Sequence, residues 1–286
     1  MKIVVGTCGF SYRDWVGPFY PAGTKSADML EYYARRFSAV EIDSTYYAVP
    51  KPVLFERMAA RTPPAFTFTV KAPGSVTHVP ADAEPLASEV SAFAECLAPL
   101  LASRKLGAVL AQFPHGFRPN VDAYRRLEAL REWWPKLPLV CEFRHRDWQA
   151  RDVLDRLREL DLGWCNVDEP QFGTLLRPSA EATSPIGYVR FHGRNYEKWW
   201  RQERASHERY SYEYTQPELE RWLPRIGEIA EQTEKTFVFF NNHHLGRAAQ
   251  NAFEMRRILA PLTGEIVEET ASDDARNGSA AQPRLL

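Results

Sequence analysis

Tyr188-Val189-Arg190-Phe191-His192-Gly193 is the stretch on which the fold turns. Side chains of a strand alternate between two faces, so Val189 and Phe191 share one face and Arg190 and His192 the other. The same split recurs upstream. Val40 and Ile42 oppose Glu41 and Asp43; Phe66, Phe68 and Val70 oppose Thr67, Thr69 and Lys71; Cys141 and Phe143 oppose Glu142 and Arg144. Asn166 and Asp168 are assigned to the polar face in the same way. In an open, doubly wound sheet both faces meet helices and both should be apolar. In a closed barrel only one face meets helices, and polar groups on the other gather at the upper end of the interior. The alternation therefore favours an α/β chain folded as a single (β/α)8 TIM-like barrel.

Working outward, eight strand-like runs appear in order: Ile3 to Gly6, Ala39 to Asp43, Phe66 to Lys71, Ala108 to Phe113, Leu139 to Phe143, Gly163 to Asp168, Tyr188 to His192 and Thr236 to Asn241. They are short and β-branched or aromatic. Helical spacing fills most gaps. One apolar face comprises Leu86, Val90, Phe93, Leu97, Leu100 and Leu101. Others comprise Val121, Tyr124, Leu127 and Leu130; Leu219, Trp222, Leu223, Ile226 and Ala230; and Ala248, Ala252, Met255 and Leu259. Thr215-Gln216-Pro217-Glu218 has capping-box spacing with proline in the first turn. Between Glu169 and Pro185 no helix is predicted. Strands alternating with helices pair in parallel through crossovers. The reading is one barrel domain over 1–264, followed over 265–286 by a tail rich in Asp, Ser, Gly and Ala that is expected to be disordered.

The 286 residues, 44% hydrophobic and 26% charged, are those of a globular chain. A net charge of −1 gives no global attraction to nucleic acid or an anionic membrane. No apolar run approaches the roughly 18 residues of a membrane span. Cys8, Cys96, Cys141 and Cys165 are scattered without a Cys-x-x-Cys pair, which argues against structural zinc and disulfides. Reduced thiols and a cytoplasmic location are the expectation.

Barrel chemistry sits at the strand C-termini. The candidates there for acid/base work are Glu41, Glu142, Asp168 and His192. The candidates for substrate binding are Asp43, Tyr46, Lys71, Gln112, Arg144, Asn166, Arg190, Arg194, Asn241 and Asn242. So many charges at one end must pair with one another or with a ligand; an ion-pair network that merely holds the barrel is the competing reading. No His-x-His or His-Glu-x-x-His spacing occurs, so no metal ligands are assigned, and a divalent ion remains a secondary option. Lys71 reads as an anion hook or ion-pair partner rather than a Schiff-base lysine, and Cys8 as a small thiol in a tight turn. The segment after strand seven interleaves Arg194, Lys198, Arg201, Arg204 and Arg209 with Tyr196, Trp199, Trp200, Tyr210, Tyr212 and Tyr214. Aromatic planes and arginines of this kind suit sugars, phosphates or bases, while Glu197, Glu203, Glu208 and Glu213 dilute its charge. Asn241-Asn242-His243-His244 leads into a helix whose start suits phosphate.

Several of these segments together resemble the YecE-like family, also called domain of unknown function 72. They are Gly6-Thr7-Cys8-Gly9-Phe10-Ser11-Tyr12 with Trp15, Val40-Glu41-Ile42-Asp43-Ser44-Thr45-Tyr46-Tyr47, Phe68-Thr69-Val70-Lys71, Gln112-Phe113-Pro114, Glu142-Phe143-Arg144-His145 with Trp148, Val189-Arg190-Phe191-His192-Gly193-Arg194, and Asn241-Asn242-His243. The resemblance runs from about Ile3 to Leu259 and implies a TIM-like barrel with a polar cavity at the strand C-termini. The function expected first is an enzyme acting on a small polar, anionic or phosphorylated, sugar-like substrate. A nucleic-acid-binding or nucleic-acid-processing barrel comes second, and a non-catalytic ligand sensor third.

Overall fold

In the computed structural model, described over residues 2–80, 82–199 and 210–264, eight parallel strands close into a barrel in sequence order. They are β1 (Ile3–Cys8), β2 (Ala39–Ile42), β3 (Thr67–Lys71), β4 (Leu106–Gln112), β5 (Leu139–Glu142), β6 (Gly163–Asp168), β7 (Ile186–Phe191) and β8 (Lys235–Phe240). Around them lie α1 (Met29–Ala34), α2 (Pro52–Ala60), α3 (Gly74–Thr77), α4 (Ala87–Ala102), α5 (Val121–Trp133), α6 (Arg151–Glu159), α7 (Gln216–Glu220), α8 (Leu223–Gln232) and α9 (Arg247–Thr263). The connection from β6 to β7 has no helix, as its sequence predicted. The expected tail over 265–286 lies outside the described residues, as do Trp200, Arg201, Arg204 and Arg209 of the basic segment.

Local chemistry sets several helix ends. Asn120 caps α5 by accepting the Ala123 amide, and Thr215 and Glu218 form the capping box that opens α7. The apolar series from Leu219 to Ala230 is split between α7 and α8, with Pro224 in the first turn of the second helix. Three residues assigned to apolar helix faces are exposed: Leu86 and Val121, at helix starts, and Leu101, one position around from the buried Leu100.

Registers assign the strand faces. Partners across a parallel pair point the same way, so Cys8 with Glu41, Glu41 with Thr69, and Gln112 with Glu142 line the interior. Val167 with Arg190, and Arg190 with Phe239, continue the ring. Gly6 lets β1 and β2 approach: a Cβ there would stand 2.2 Å from the Ala39 carbonyl oxygen. The helix-facing side is apolar, with Val40, Phe68, Val70, Cys141, Phe143, Val189 and Phe191 all buried. On β6 the faces are reversed from the sequence reading. Asn166 pairs with Val189 and Asp168 with Phe191, so both side chains point toward the helices, and Cys165 and Val167 point inward.

Candidate active site at the strand C-termini

The lower tier of the site is a buried ion cluster. Arg190 reaches Glu142 Oε2 at 2.5 Å with one guanidinium nitrogen and Glu41 Oε1 at 2.6 Å with the other. Tyr188 donates its hydroxyl to Glu41 at 2.7 Å and lies 2.9 Å from Thr69 Oγ1. These side chains come from β2, β3, β5 and β7 and are essentially fully buried. Burial works to raise the Glu142 carboxyl, but Arg144, Arg190 and His192 outweigh it and hold it well below the ordinary range.

Above this tier Arg144 spans Glu142 Oε1 at 2.8 Å and Glu169 Oε2 at 3.0 Å. Glu169 follows β6 directly and continues its inward face, so it was missed when that face was assigned to Asn166 and Asp168. The signal that could have found it is Cys165-Asn166-Val167-Asp168-Glu169 read in the opposite phase. Burial pushes the Glu169 carboxyl up to about 7, although Arg144 opposes the shift. Its Oε1 is buried without a hydrogen-bond partner among the described residues.

His192, on the inner face past β7, is fully buried. Asn241 Nδ2 lies 3.1 Å from its Nδ1. A donating amide there leaves the ring proton on Nε2. That Nε2 is 3.2 Å from Glu142 Oε1, which Arg144 already holds, and makes no hydrogen bond among the described residues, so the two are close but misaligned. Burial, reinforced by Arg144, lowers the imidazole to about 3 and keeps it neutral. Lys71 ends β3, half-buried, with Nζ 4.3 Å from the centre of the Tyr46 ring. Burial, with Arg190 adding to it, lowers its amine to about 8. Asp43 is likewise half-buried, its carboxyl raised by burial and then by Glu41. His78, which the sequence reading passed over, packs edge-on against Tyr46 and is lowered to about 4 by burial and then by Lys71. Gln112 faces inward and spends its amide on the Phe113 carbonyl at 2.7 Å.

Four candidates do not face this interior. Asp168 sits on the helix side, where it accepts the Trp222 indole N–H at 2.7 Å, the Tyr214 hydroxyl at 2.7 Å and two bonds from Arg194 at 2.8 and 2.6 Å. Three donors saturate the carboxylate and hold both it and Arg194 in the frame. Asn166 exchanges bonds with the backbone of Glu181 and accepts Ser179, clipping the helix-free connection to the barrel. Asn242 donates to the Tyr212 carbonyl and to Asn251 on α9, at 2.9 Å each. The phase of β6 explains the first two; β8 alternates likewise, with Asn241 inward and Asn242 outward. The Cys8 thiol, 3.4 Å from Arg190, is pushed well up by burial and then by Glu41, which fits a small buried thiol and not a nucleophile. Among the described residues no group of three or more His, Cys, Asp or Glu side chains could hold a metal ion. Among them, too, no helix is long and apolar enough to cross a membrane.

Comparison with known proteins places the barrel in a family. The UPF0759 protein YunF of Bacillus subtilis is 33% identical over 274 residues, covering 90% of this chain and 94% of YunF. The UPF0759 protein YecE of Escherichia coli K12 is 33% identical over 155 residues, 52% of this chain and 51% of YecE. The crystal structure of a DUF72 family protein from Thermotoga maritima superposes with a TM-score of 0.83 at 38% identity, covering 91% of this chain and 99% of that one. Residues 4–275 match the family described as "Protein of unknown function DUF72", and the chain belongs to that family.

Proposed function

We propose that the chain is an enzyme that binds a small polar, anionic or phosphorylated substrate at the barrel mouth and works by proton transfer. One observation carries the reading. Among the described residues, Glu169 Oε1 and His192 Nε2 are buried at the strand C-termini without hydrogen-bond partners, and Lys71 Nζ, at the end of β3, has no acceptor. Buried polar groups are normally satisfied, so groups left open at the end where barrels do their chemistry are fitted to a ligand. The charge balance supports an anion. Arg144, Arg190 and Lys71 face the paired Glu41 and Glu142, while burial moves Asp43 and Glu169 toward their protonated forms. Glu169, at about 7, is suited to give or take a proton at neutral pH. His192, neutral with its proton on Nε2, is suited to donate a hydrogen bond to a developing negative oxygen. Asp168, Asn166, Asn242 and Arg194 serve as frame rather than as substrate contacts.

The test is a thermal-shift screen of the full chain against sugar phosphates, small carboxylates, nucleotides and short oligonucleotides. A ligand present at about a hundred times its Kd adds roughly 2.7 kcal/mol of stability. The expected result is a shift with a small anionic compound that is lost in Glu169→Gln and His192→Ala, with turnover of that compound also lost in Glu169→Gln. A shift with oligonucleotides alone, or one that both variants retain, contradicts the reading.

A further inference from the structure

Three lysines of this chain have amines lowered by burial, and they differ in what their nitrogens touch. Lys105 Nζ donates to the Ala59 and Thr62 carbonyls and to the Thr62 hydroxyl, at 2.6 to 2.9 Å, which uses all three ammonium protons. Lys235, whose residue begins β8 at the opposite end of the barrel, donates to Thr67 Oγ1 at 2.8 Å. Lys71, at the mouth, has neither a hydrogen bond nor an ion pair among the described residues, only the face of Tyr46 beneath it. An ammonium that serves structure is given acceptors, as Lys105 is. An amine held in place by an aromatic ring, with no acceptor to retain its protons, keeps its lone pair available.

We propose that Lys71 is a nucleophile that forms an imine with its substrate, which is therefore an aldehyde, a ketone or a 2-oxo acid. This rests on the reading of the mouth as a substrate site. The neutral Nζ attacks the carbonyl carbon, and the π electrons move to oxygen, which takes up a proton. The carbinolamine then expels that oxygen as water while nitrogen shares its pair with carbon, leaving a protonated imine. In sum, amine, carbonyl and one proton give iminium and water, with no oxidant or reductant. Asp43, on the neighbouring strand end and close enough to Lys71 for the two charges to act on each other, is the group assigned to exchange the protons.

The groups whose charges act on Lys71 come from three strands. Arg190 from β7 and Arg144 from just past β5 disfavour its ammonium form, and Glu142 from β5 and Glu41 from β2 favour it. Asp43 and the ring of Tyr46 stand beside it, and the neutral His78 lies across Tyr46. Arg144 and Arg190 are bound up with glutamates, so of these three cations the lysine is the one that can change its proton state without breaking an ion pair.

The experiment incubates the full chain with glycolaldehyde, pyruvate or dihydroxyacetone phosphate and cyanoborohydride, between about pH 6 and pH 9. Adducts are then located by intact mass and peptide mapping. The expected result is one adduct, on Lys71, whose rate reaches half its maximum near pH 8, with Lys235 unlabelled. Lys71→Met should form no adduct. Lys71→Arg should also form none while keeping any thermal shift that an anionic ligand produces, which separates imine formation from charge alone. Labelling confined to other lysines, with Lys71 spared by every carbonyl, overturns the proposal. If Lys71 is spared while the thermal shift still depends on Glu169 and His192, the imine fails and the site survives. If that shift is absent as well, both readings fail.

Discussion

At the scale of single residues, the mouth contains groups whose proton affinities are displaced in opposite directions, and the signs make stability depend on pH. His192 is held at about 3 in the folded chain, below the roughly 6.5 of an unfolded histidine. Between those values the unfolded chain binds a proton that the folded chain refuses, so stability falls as pH drops through the window. Glu142, depressed well below its ordinary value, adds to that loss below about pH 4.5. Glu169 acts the other way: raised to about 7, it removes stability as pH climbs from about 4.5 to 7. Urea midpoints measured across this range should show His192→Gln losing acid sensitivity relative to the parent chain, most clearly between about pH 6 and pH 4. An unchanged slope in the variant would mean that His192 protonates freely in the folded state. Which side chains carry charge was legible in the sequence, because residue type and strand position suffice for that. Which of them remain unsatisfied was not, because the geometry of His192 against Glu142 depends on contacts made across the barrel.

At the scale of elements, the alternation in β2, β3, β5 and β7 identified the inward faces correctly, because in each of them the polar residues are the inward ones. The rule failed on β6, where the outward face carries Asn166 and Asp168 and the inward face Cys165 and Val167. The physical reason is that a polar residue on the helix side is stable when its partners are supplied. Trp222, Tyr214 and Arg194 supply them for Asp168, and the helix-free connection supplies them for Asn166. Those partners lie 13 to 54 residues downstream, out of reach of a local pattern. Asp168 thus ties β6 to the segment after β7 and to the residue before α8. Removing one partner of such a buried charge pair typically costs about 3–5 kcal/mol. Asp168→Ala should lose stability on that scale and show faster hydrogen exchange in residues 210–215. Exchange confined to the strand C-termini, with 210–215 unaffected, would contradict the role of Asp168 as a tie.

At the scale of the whole molecule, the barrel joins two kinds of polar cluster with different purposes. Glu41, Arg190 and Glu142 form a network of ion pairs spanning β2, β5 and β7, which Arg144 extends to Glu169 Oε2, whereas the proposed function holds Lys71 and Glu169 Oε1, unpartnered among the described residues, ready for a ligand. Closure into eight parallel strands was legible from strand count and alternation, because a closed barrel covers only one strand face with helices and leaves the other for polar groups. The division of the charged end between support and site lay beyond the sequence, because both clusters use the same residue types on the same faces. The most direct measurement is the free energy of unfolding in denaturant for two pairs of variants. Groups kept unsatisfied for function give stability back when removed, so Lys71→Met and Glu169→Gln should hold or raise stability, by up to about 1 kcal/mol. Arg190→Met and Glu142→Gln break the network and should lower it by about 3–5 kcal/mol. If Lys71→Met and Glu169→Gln instead lose stability as heavily as Arg190→Met does, the whole charged end is a structural ion-pair network and the mouth is not a site.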